Sequence, residues 1–241
     1  MSQELSSQHI LAHALPVPAI KKLAGKRVVL ASNSPRRRDI LKTIGLAPDI
    51  IPSTFEEDLS PSSFADIHEY PVATASHKAV EVYERLVAED PDNAPDLVIA
   101  ADTVVLTHAQ PSTSQTDYTL LPSVGQELLE KPKDKKDNLR MLMDLNGQVS
   151  YPILTAPGYA LRSIDERSLV YFADNPRHIL QAYVDSGEGL DRAGGFAIQG
   201  MGGVLVRKVE GDYQNVVGFP MASFFKLLDD MVEEDDDFLS M

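Results

Sequence analysis

The amino-acid sequence predicts an α/β protein built on a central mixed sheet. Two apolar, β-branched runs have the composition of buried strands: Arg27–Ala31 (RVVLA) and Leu97–Leu106 (LVIAADTVVL). Between them, Val72–Val87 repeats apolar residues at helical spacing. With 241 residues, 43% of them hydrophobic, the chain can bury one substantial core or two small lobes around a cleft.

The other predicted elements continue this alternation. Arg37–Ile44 is predicted to be a helix that ends at Gly45, and Asp49–Pro52 a short strand before the polar loop Ser53–Tyr70. Gln110–Gly125 is rich in Ser, Thr and Pro, which favours a long loop inserted in a hairpin. The elements predicted after this loop are a helix at Lys131–Leu145, strands at Tyr151–Leu161 and Leu169–Phe172, a helix at His178–Val184, a Gly-rich β-like segment at Ala193–Pro220 and a helix from Met221.

The chain is predicted to divide into three parts. Residues 1–25 form an N-terminal extension, expected to be disordered or loosely docked, and residues 26–228 form one folded domain that includes the inserted loop 110–125. Residues 229–241 form an acidic tail with seven carboxylates and no basic residue. We expect this tail to be the solvated end of the last helix, with partner binding as the alternative.

Composition excludes several classes of function. The net charge of −14 would repel a nucleic-acid backbone, so polymeric DNA or RNA is not expected as a partner. No apolar run approaches the roughly 20 residues of a membrane span. The N-terminus lacks the basic start and long apolar core of a secretory signal, and the chain has no Cys. We therefore expect a cytoplasmic protein, with the nucleus as a second location.

The segment LASNSPRRRDIL places three arginines at the start of a helix. Ser34 has the character of an N-cap and is followed by proline, so the helix dipole there already carries partial positive charge. Three guanidinium groups in the first turn are favourable only if an anion joins them. A solvated basic face is the alternative, but a small-residue turn before a helix favours a phosphate site. Of the three, Arg36 and Arg37 are the expected ligands, and Arg38 is expected to be exposed.

Asp102 is the second notable residue, because it interrupts an otherwise apolar strand. A carboxylate in such a place is costly unless it pairs, binds a metal ion or faces a cleft. Its functional roles would be activating water or binding a divalent cation, and its structural roles would be capping a turn or pairing with a buried lysine. Taken singly, Lys78, Lys131 and Glu57 have the character of ordinary surface residues. Gln199 lies in a Gly-rich run and could read a base edge through its amide.

Together these segments resemble the Maf family of nucleoside triphosphate pyrophosphatases. The matching pieces, in the family's order, are LASNSPRRRDIL, ASHKAVEVYERL, VIAADTVVL, LLEKPKD, YVDSGEGLDRAGGFAIQGMGG and GDYQNVVGFPM, and they cover roughly Lys26–Leu228. The resemblance implies a two-lobed α/β fold with a nucleotide cleft, related to the inosine triphosphate pyrophosphatases. It implies hydrolysis of a phosphoanhydride bond that releases a nucleoside monophosphate and pyrophosphate, with Mg or Mn as the divalent cofactor. Members are often dimeric, so a homodimer is expected.

The resemblance also implies a role for each matching residue. The implied catalytic residues are Asp102, Lys78 and Lys131; the implied substrate-binding residues are Ser34, Arg36, Arg37, Thr103 and Gln199; and the implied metal ligands are Asp102 and Glu57.

The segment AGGFAIQG resembles the branch of the family that acts on dTTP and UTP. In the 7-methyl-GTP branch a Glu tends to replace Gln199. Two positions depart from the family pattern, since Tyr151 stands where a His is common and Arg192 where a Lys is usual. The alternatives to the pyrimidine enzyme are a pyrophosphatase for 7-methyl-GTP or damaged purine triphosphates, and a non-catalytic nucleotide-binding regulator.

Overall fold

The computed structural model describes residues 9–107, 128–144, 154–156, 161–234 and 239. In chain order the helices are α1 (Pro18–Lys22), α2 (Pro35–Thr43), α3 (Glu69–Glu89), α4 (Lys135–Asp144), α5 (Arg177–Ser186), α6 (Tyr213–Val217) and α7 (Met221–Glu234). The strands are β1 (Val28–Leu30), β2 (Asp49–Ile50), β3 (Leu97–Ala100), β4 (Val105–Leu106), β5 (Leu128–Leu129), β6 (Leu154–Ala156), β7 (Leu169–Phe172) and β8 (Val206–Glu210). The predicted loop Gln110–Gly125 and Tyr151 lie outside the described residues.

The central sheet is mixed, as the sequence predicts. Its strands follow the order β2-β1-β3-β6, in which β1 pairs in parallel with β2 and β3, and β3 pairs antiparallel with β6. Helix α3 covers one face, where Ala75, Ala79 and Val82 pack against Val29 and Val98. Helices α1, α2 and α7 contribute to the core on the other face. Because both faces are covered, the strands are apolar throughout rather than alternating.

A second lobe is assembled from two short antiparallel pairs, β4 with β5 and β7 with β8. Helices α4 and α5 pack together beside them. Leu142, Phe172, Val184 and Phe196 belong to one apolar cluster that holds this lobe. The fold is therefore two-lobed, and the chain passes between the lobes at Ala101–Val104.

The prediction of one continuous strand over Leu97–Leu106 is wrong. Strand β3 ends at Ala100, and β4 begins at Val105 in the other lobe. The two polar side chains Asp102 and Thr103 lie in the intervening link and line a cleft. Burying them inside an apolar sheet would leave a carboxylate without solvent or a partner, so the link is the favourable place for them.

The Gly-rich segment Ala193–Pro220 is also not β-like over most of its length. It contains two short 3₁₀ turns, Ala193–Gly195 and Met201–Leu205, and only then β8 and α6. Gly194 and Gly195 have φ angles of 66° and 73°, which suit a tight turn and not a strand. Because a glycine can take these values without strain, the chain reverses here at the edge of the cleft.

The N-terminal segment is not loosely docked from residue 9 onward. Ile10 forms a β-bridge with Leu46, and Ala19, Ile20 and Leu23 are buried in the main core. The boundary at residue 25 stays a prediction. At the other end, α7 continues to Glu234 with Met231 buried, so the first acidic residues of the tail lie on the outer part of a packed helix. None of the helices in the described part of the chain combines the length and apolar character needed to cross a bilayer.

Replacing Gly45 by Ala tests the docking of the N-terminal segment. Gly45 has a φ of 86°, and a Cβ there would lie 2.3 Å from the Ala14 Cβ, whereas Gly25 has a φ of 77° with open space around it. We expect Gly25→Ala to lower the free energy of unfolding by roughly 1–2 kcal/mol from backbone strain alone. Gly45→Ala should cost about a further 1–3 kcal/mol from the overlap. Urea unfolding of both variants measures the difference, and equal losses would show that the segment does not pack as described.

Candidate active site

A cleft of about 830 Å³ separates the two lobes. It is lined by the turn after β1, residues 102–104 of the link and the first residue of β4, the N-terminal part of the Gly-rich segment, and side chains from α3 and its preceding loop. All nine residues implied by the family resemblance, Ser34, Arg36, Arg37, Glu57, Lys78, Asp102, Thr103, Lys131 and Gln199, line this cleft. The structure therefore brings together residues that are far apart in the sequence.

The turn after β1 begins helix α2 as the sequence predicts. Pro35 is the first helical residue and Ser34 is the N-cap, whose hydroxyl accepts a hydrogen bond of 3.5 Å from the Arg37 N–H. Ile40 and Leu41 are buried and attach the helix to the core. The helix start is thereby held at the mouth of the cleft with its positive end exposed to any bound anion.

The guanidinium of Arg37 donates most of its hydrogen bonds to other groups of the protein. Its Nε donates to the Gly218 carbonyl at 3.0 Å, Nη1 to the Ala101 carbonyl at 2.6 Å and the Ser32 hydroxyl at 3.1 Å, and Nη2 to the Thr103 hydroxyl at 3.0 Å. These contacts occupy four of its five N–H groups. Burial lowers the pKa of Arg37, opposed by the charges of acidic neighbours. Arg37 thus holds the site in shape and leaves at most one donor for a ligand.

Arg36 is the arginine whose side chain remains available to an anion. Its Nε is buried and has no hydrogen-bond partner among the described residues. Burial, followed by the charges of Arg192 and Arg37, lowers the pKa of Arg36 to about 10. A buried donor without an acceptor is unfavourable, so an anion entering the cleft would relieve both the unmet hydrogen bond and the repulsion. Arg38 is exposed, as predicted, and lies 3.7 Å from the Asp39 carboxylate.

Lys78 pairs with two acidic residues that line the cleft. It projects from α3 with only 9% of its surface exposed. Its Nζ lies 3.0 Å from Asp102 Oδ1 and 2.8 Å from Glu57 Oε1. The pairing of Asp102 with a buried lysine was the structural alternative to a catalytic role, and it is present. The lysine nevertheless serves two carboxylates, and both of them line the cleft.

The loop that carries Glu57 is attached to helix α3 at its start, which the sequence did not predict. Glu81 of α3 accepts hydrogen bonds from the Ser53 hydroxyl at 2.6 Å, the Thr54 N–H at 3.0 Å and the Thr54 hydroxyl at 2.9 Å. Arg85 Nε also donates to it at 2.7 Å. Burial alone would raise the pKa of Glu81, but these four hydrogen bonds outweigh it and lower the pKa to about 2. The only sequence signal was an acid on the polar face of α3, which is too common to single out.

Lys131 lies at the open rim of the cleft. Its Nζ is 2.8 Å from Asp191 Oδ1, and both side chains are largely exposed, at 67% and 77%. Asp191 Oδ2 is 3.3 Å from Nη1 of Arg192. The preceding Glu130 accepts a hydrogen bond of 3.2 Å from the Tyr70 hydroxyl. Burial, then Glu130, raises the pKa of Tyr70 to about 12, so this tyrosine is a neutral donor.

Gln199 is exposed on the opposite rim, in a loop that is braced from behind. Glu188 accepts hydrogen bonds from the Met201 N–H at 3.1 Å and the Gly202 N–H at 2.9 Å. A Cβ at Gly200 would lie 2.0 Å from Glu188 Oε1, so a larger residue there would require the Glu188 carboxylate to move. The sequence gives no sign that Glu188 braces this loop, since nothing local predicts which backbone N–H groups a glutamate contacts.

The described residues include no group of three His, Cys, Asp or Glu side chains placed to hold a metal ion. Glu57 and Asp102, which share Lys78, are the pair that could contribute oxygen ligands. Mg²⁺ in phosphate-processing sites commonly uses one or two carboxylates and completes its shell with water and substrate phosphate oxygens. Two carboxylates therefore fit a cation that arrives with a triphosphate, and do not fit one held by protein alone.

Comparisons with known proteins show which family this chain is similar to. The sequence profile of the family described as "Maf-like protein" matches residues 27–231. The "Probable bifunctional dTTP/UTP pyrophosphatase/methyltransferase protein" of Homo sapiens is 42% identical over 223 residues, which cover 88% of this chain and 33% of the human protein. A dTTP/UTP pyrophosphatase of Schizosaccharomyces pombe is 36% identical over 232 residues, covering 90% of this chain and 88% of the yeast protein.

A third relative comes from an archaeon. The dTTP/UTP pyrophosphatase of Thermococcus kodakarensis is 37% identical over 206 residues, covering 83% of this chain and 94% of the archaeal protein. This chain therefore spans about a third of the human relative but most of the length of the yeast and archaeal ones.

Replacing Glu81 by Gln tests the anchor of the Glu57 loop. The pKa of Glu81 is depressed from 4.5 to about 2, so its contribution to stability is present above pH 4.5 and is lost as the pH falls towards 2. At neutral pH the variant should be less stable by up to about 3 kcal/mol. The gap between wild type and variant should shrink between pH 4.5 and pH 2, as measured by urea unfolding.

The matched control is Glu89→Gln, which removes an exposed carboxylate from the same helix. It should leave the free energy of unfolding within about 0.5 kcal/mol of wild type. A gap for Glu81→Gln that stays constant down to pH 2 would contradict the proposed ionised anchor.

Proposed function

Because the chain belongs to the Maf family, we propose that it is a nucleoside triphosphate pyrophosphatase that hydrolyses dTTP and UTP to the monophosphate and pyrophosphate. The observation that carries this proposal is the convergence, in one cleft, of an Asp–Lys–Glu cluster and Arg36, whose buried Nε has no acceptor among the described residues. The arginine suits binding of phosphate, and the cluster suits activation of water. Removal of such nucleotides is a house-cleaning reaction of nucleotide metabolism.

Arg36, Lys78 and Lys131 are proposed to hold the triphosphate. Each presents a cation to the cleft, and Arg36 adds a guanidinium that can bind two phosphate oxygens at once. Negative charge grows on the leaving pyrophosphate as the phosphoanhydride bond breaks. Fixed cations stabilise that charge without having to reorganise during the reaction. Ser34 and the start of α2 are proposed to contribute backbone N–H groups to the same anion, with Thr103 beside them and the remaining donor of Arg37 directed to the substrate.

Asp102 is proposed as the residue that orients and deprotonates the attacking water. Its Oδ1 is held 3.0 Å from Lys78 Nζ, and its other carboxylate oxygen has no hydrogen-bond partner recorded among the described residues. The oxygen of the water would attack the α-phosphorus while Asp102 accepts its proton. The bond between the α-phosphorus and the bridging oxygen breaks, and pyrophosphate leaves with that oxygen. Lys78 fixes the direction in which the carboxylate faces.

A divalent cation, Mg or Mn, is proposed as the cofactor, with Asp102 and Glu57 as its protein ligands. Such a cation would supply neutralisation of the phosphate oxygens in the transition state. The support from this chain is chemical, since two carboxylates beside a phosphate site are the ligand types that Mg²⁺ uses.

Gln199 is proposed to select the pyrimidine base. Its amide can donate to the O4 acceptor and accept from the N3 donor of uracil or thymine at once. An exposed position on the rim of the cleft leaves the amide free to meet a base. A cytoplasmic location, with the nucleus as a second one, and assembly as a homodimer are retained as further proposals.

A substrate panel tests this function directly. Pyrophosphate release would be measured from dTTP, UTP, CTP, 7-methyl-GTP and ITP, with Mg, with Mn and with neither. We expect dTTP and UTP to be hydrolysed preferentially and only with a divalent cation. Turnover of 7-methyl-GTP alone would overturn the role of Gln199, and binding without any turnover would favour the regulator.

Replacing Asp102 by Asn tests the proposed base. We expect kcat for UTP to fall by roughly 10²–10⁴-fold, because general-base catalysis contributes about that much. Binding of UTP, measured by calorimetry without turnover, should change by less than about tenfold because Asn keeps the shape of the side chain. A variant with full activity would refute the role, and loss of binding together with activity would indicate a structural role instead.

A further inference from the structure

The charges at the rim of the cleft are arranged around Asp191. Its Oδ1 lies 2.8 Å from Lys131 Nζ, and its Oδ2 lies 3.3 Å from Arg192 Nη1. Arg36 is close enough that its charge helps to lower the pKa of Asp191, after the larger effects of Lys131 and Arg192. One carboxylate therefore lies among three cations that all line the cleft.

These cations have more donors than Asp191 can satisfy. The Nε atoms of Arg36 and Arg192 are both buried and have no hydrogen-bond partner in the described part of the chain. The two arginines also repel each other, since the charge of Arg192 is the second cause, after burial, of the lowered pKa of Arg36. A larger anion with more oxygens would satisfy donors that a single carboxylate leaves unmet.

The pairing of Asp191 is also easy to break. Its side chain is 77% exposed, and its carboxylate contacts only Lys131 and Arg192 among the described residues. Exposed ion pairs of this kind contribute little to stability. By contrast, the Asp102 carboxylate is only 13% exposed and is paired with a buried lysine. The two aspartates of the cleft therefore differ in how firmly they are held, since Asp102 is enclosed by its surroundings and Asp191 is open to solvent.

We propose that Asp191 is an internal competitor for the phosphates of the substrate, occupying in the free protein the position among Lys131, Arg192 and Arg36 that the triphosphate takes when bound. This rests on the proposed function, because the displacing anion is the triphosphate. In the free protein the carboxylate reduces repulsion between the cations. After hydrolysis it competes with pyrophosphate for the same donors, which favours release of the product. Arg192 is thereby assigned to phosphate binding.

Binding of inorganic pyrophosphate to Asp191→Asn tests the proposal. Calorimetry on the full chain in EDTA at low ionic strength reports binding by the protein's own cations. Removing one adjacent negative charge should tighten binding about fivefold, as expected for roughly one charge pair at contact distance in water. Asp191→Glu keeps the charge and should bind as wild type does. In steady-state assays Asp191→Asn should lower the KM for UTP and make pyrophosphate a stronger inhibitor.

The matched control is Asp230→Asn on α7, a partly exposed aspartate 2.6 Å from Lys226 that does not line the cleft. It makes the same change in net charge and should leave pyrophosphate binding unchanged. Unchanged or weaker binding by Asp191→Asn would overturn the proposal and show that Asp191 positions Lys131 instead. Equal tightening in Asp230→Asn would also overturn it, because the effect would then follow from net charge alone. Failure of wild type to hydrolyse UTP would refute the proposed function separately, because it is read from turnover and not from the ratio of affinities.

Discussion

The partly buried guanidinium of Arg37 makes the contacts on which the geometry of the cleft depends. It reaches from α2 to the turn after β1, to the link between the lobes and to the turn before α7, through Ser32, Ala101 and Gly218. Its partners lie up to 181 residues away in the sequence. A single planar group with several fixed donors can join these segments at defined angles, which a flexible lysine could not do. The link that carries Asp102 and Thr103 is therefore positioned by the arginine that begins the neighbouring helix.

The three arginines of the SPRRR turn consequently have three different environments. Arg37 donates its hydrogen bonds to groups of the protein, and Arg38 is exposed beside Asp39. Arg36 is half-buried, and its Nε has no acceptor among the described residues. The unfavourable charge at the helix start is thus only partly relieved within the chain. The remaining positive charge at the start of α2 favours binding of an anion there, although the overall charge of the protein is −14. Binding of a triphosphate is then governed by the local field of the cleft and not by net charge.

Loops carry most of the side chains of the site, and two of these loops are held by carboxylates that lie outside the proposed chemistry. Glu81 holds the segment that bears Glu57, and Glu188 holds the segment that bears Gln199. Both accept backbone N–H groups that would otherwise lack partners at the rim of the cleft.

The sequence by itself determined the α/β class, the mixed sheet, the capped start of α2 and membership of the family, because these follow from local patterns and from motifs in a fixed order. It also supplied the nine residues that line the cleft, although their roles stay predictions. It failed for Leu97–Leu106, where the apolar pattern hides a change of lobe, and for the Gly-rich segment, where positive φ angles replace strand geometry.

Only the tertiary structure decided which charges meet. Lys78 lies between Asp102 and Glu57, Arg37 is saturated by carbonyl and hydroxyl groups, and Asp191 is shared by Lys131 and Arg192. The physical reason is that a charged side chain has no periodicity that reveals its partner. Its energy depends on the distance to atoms many residues away and on how much water the fold leaves around it.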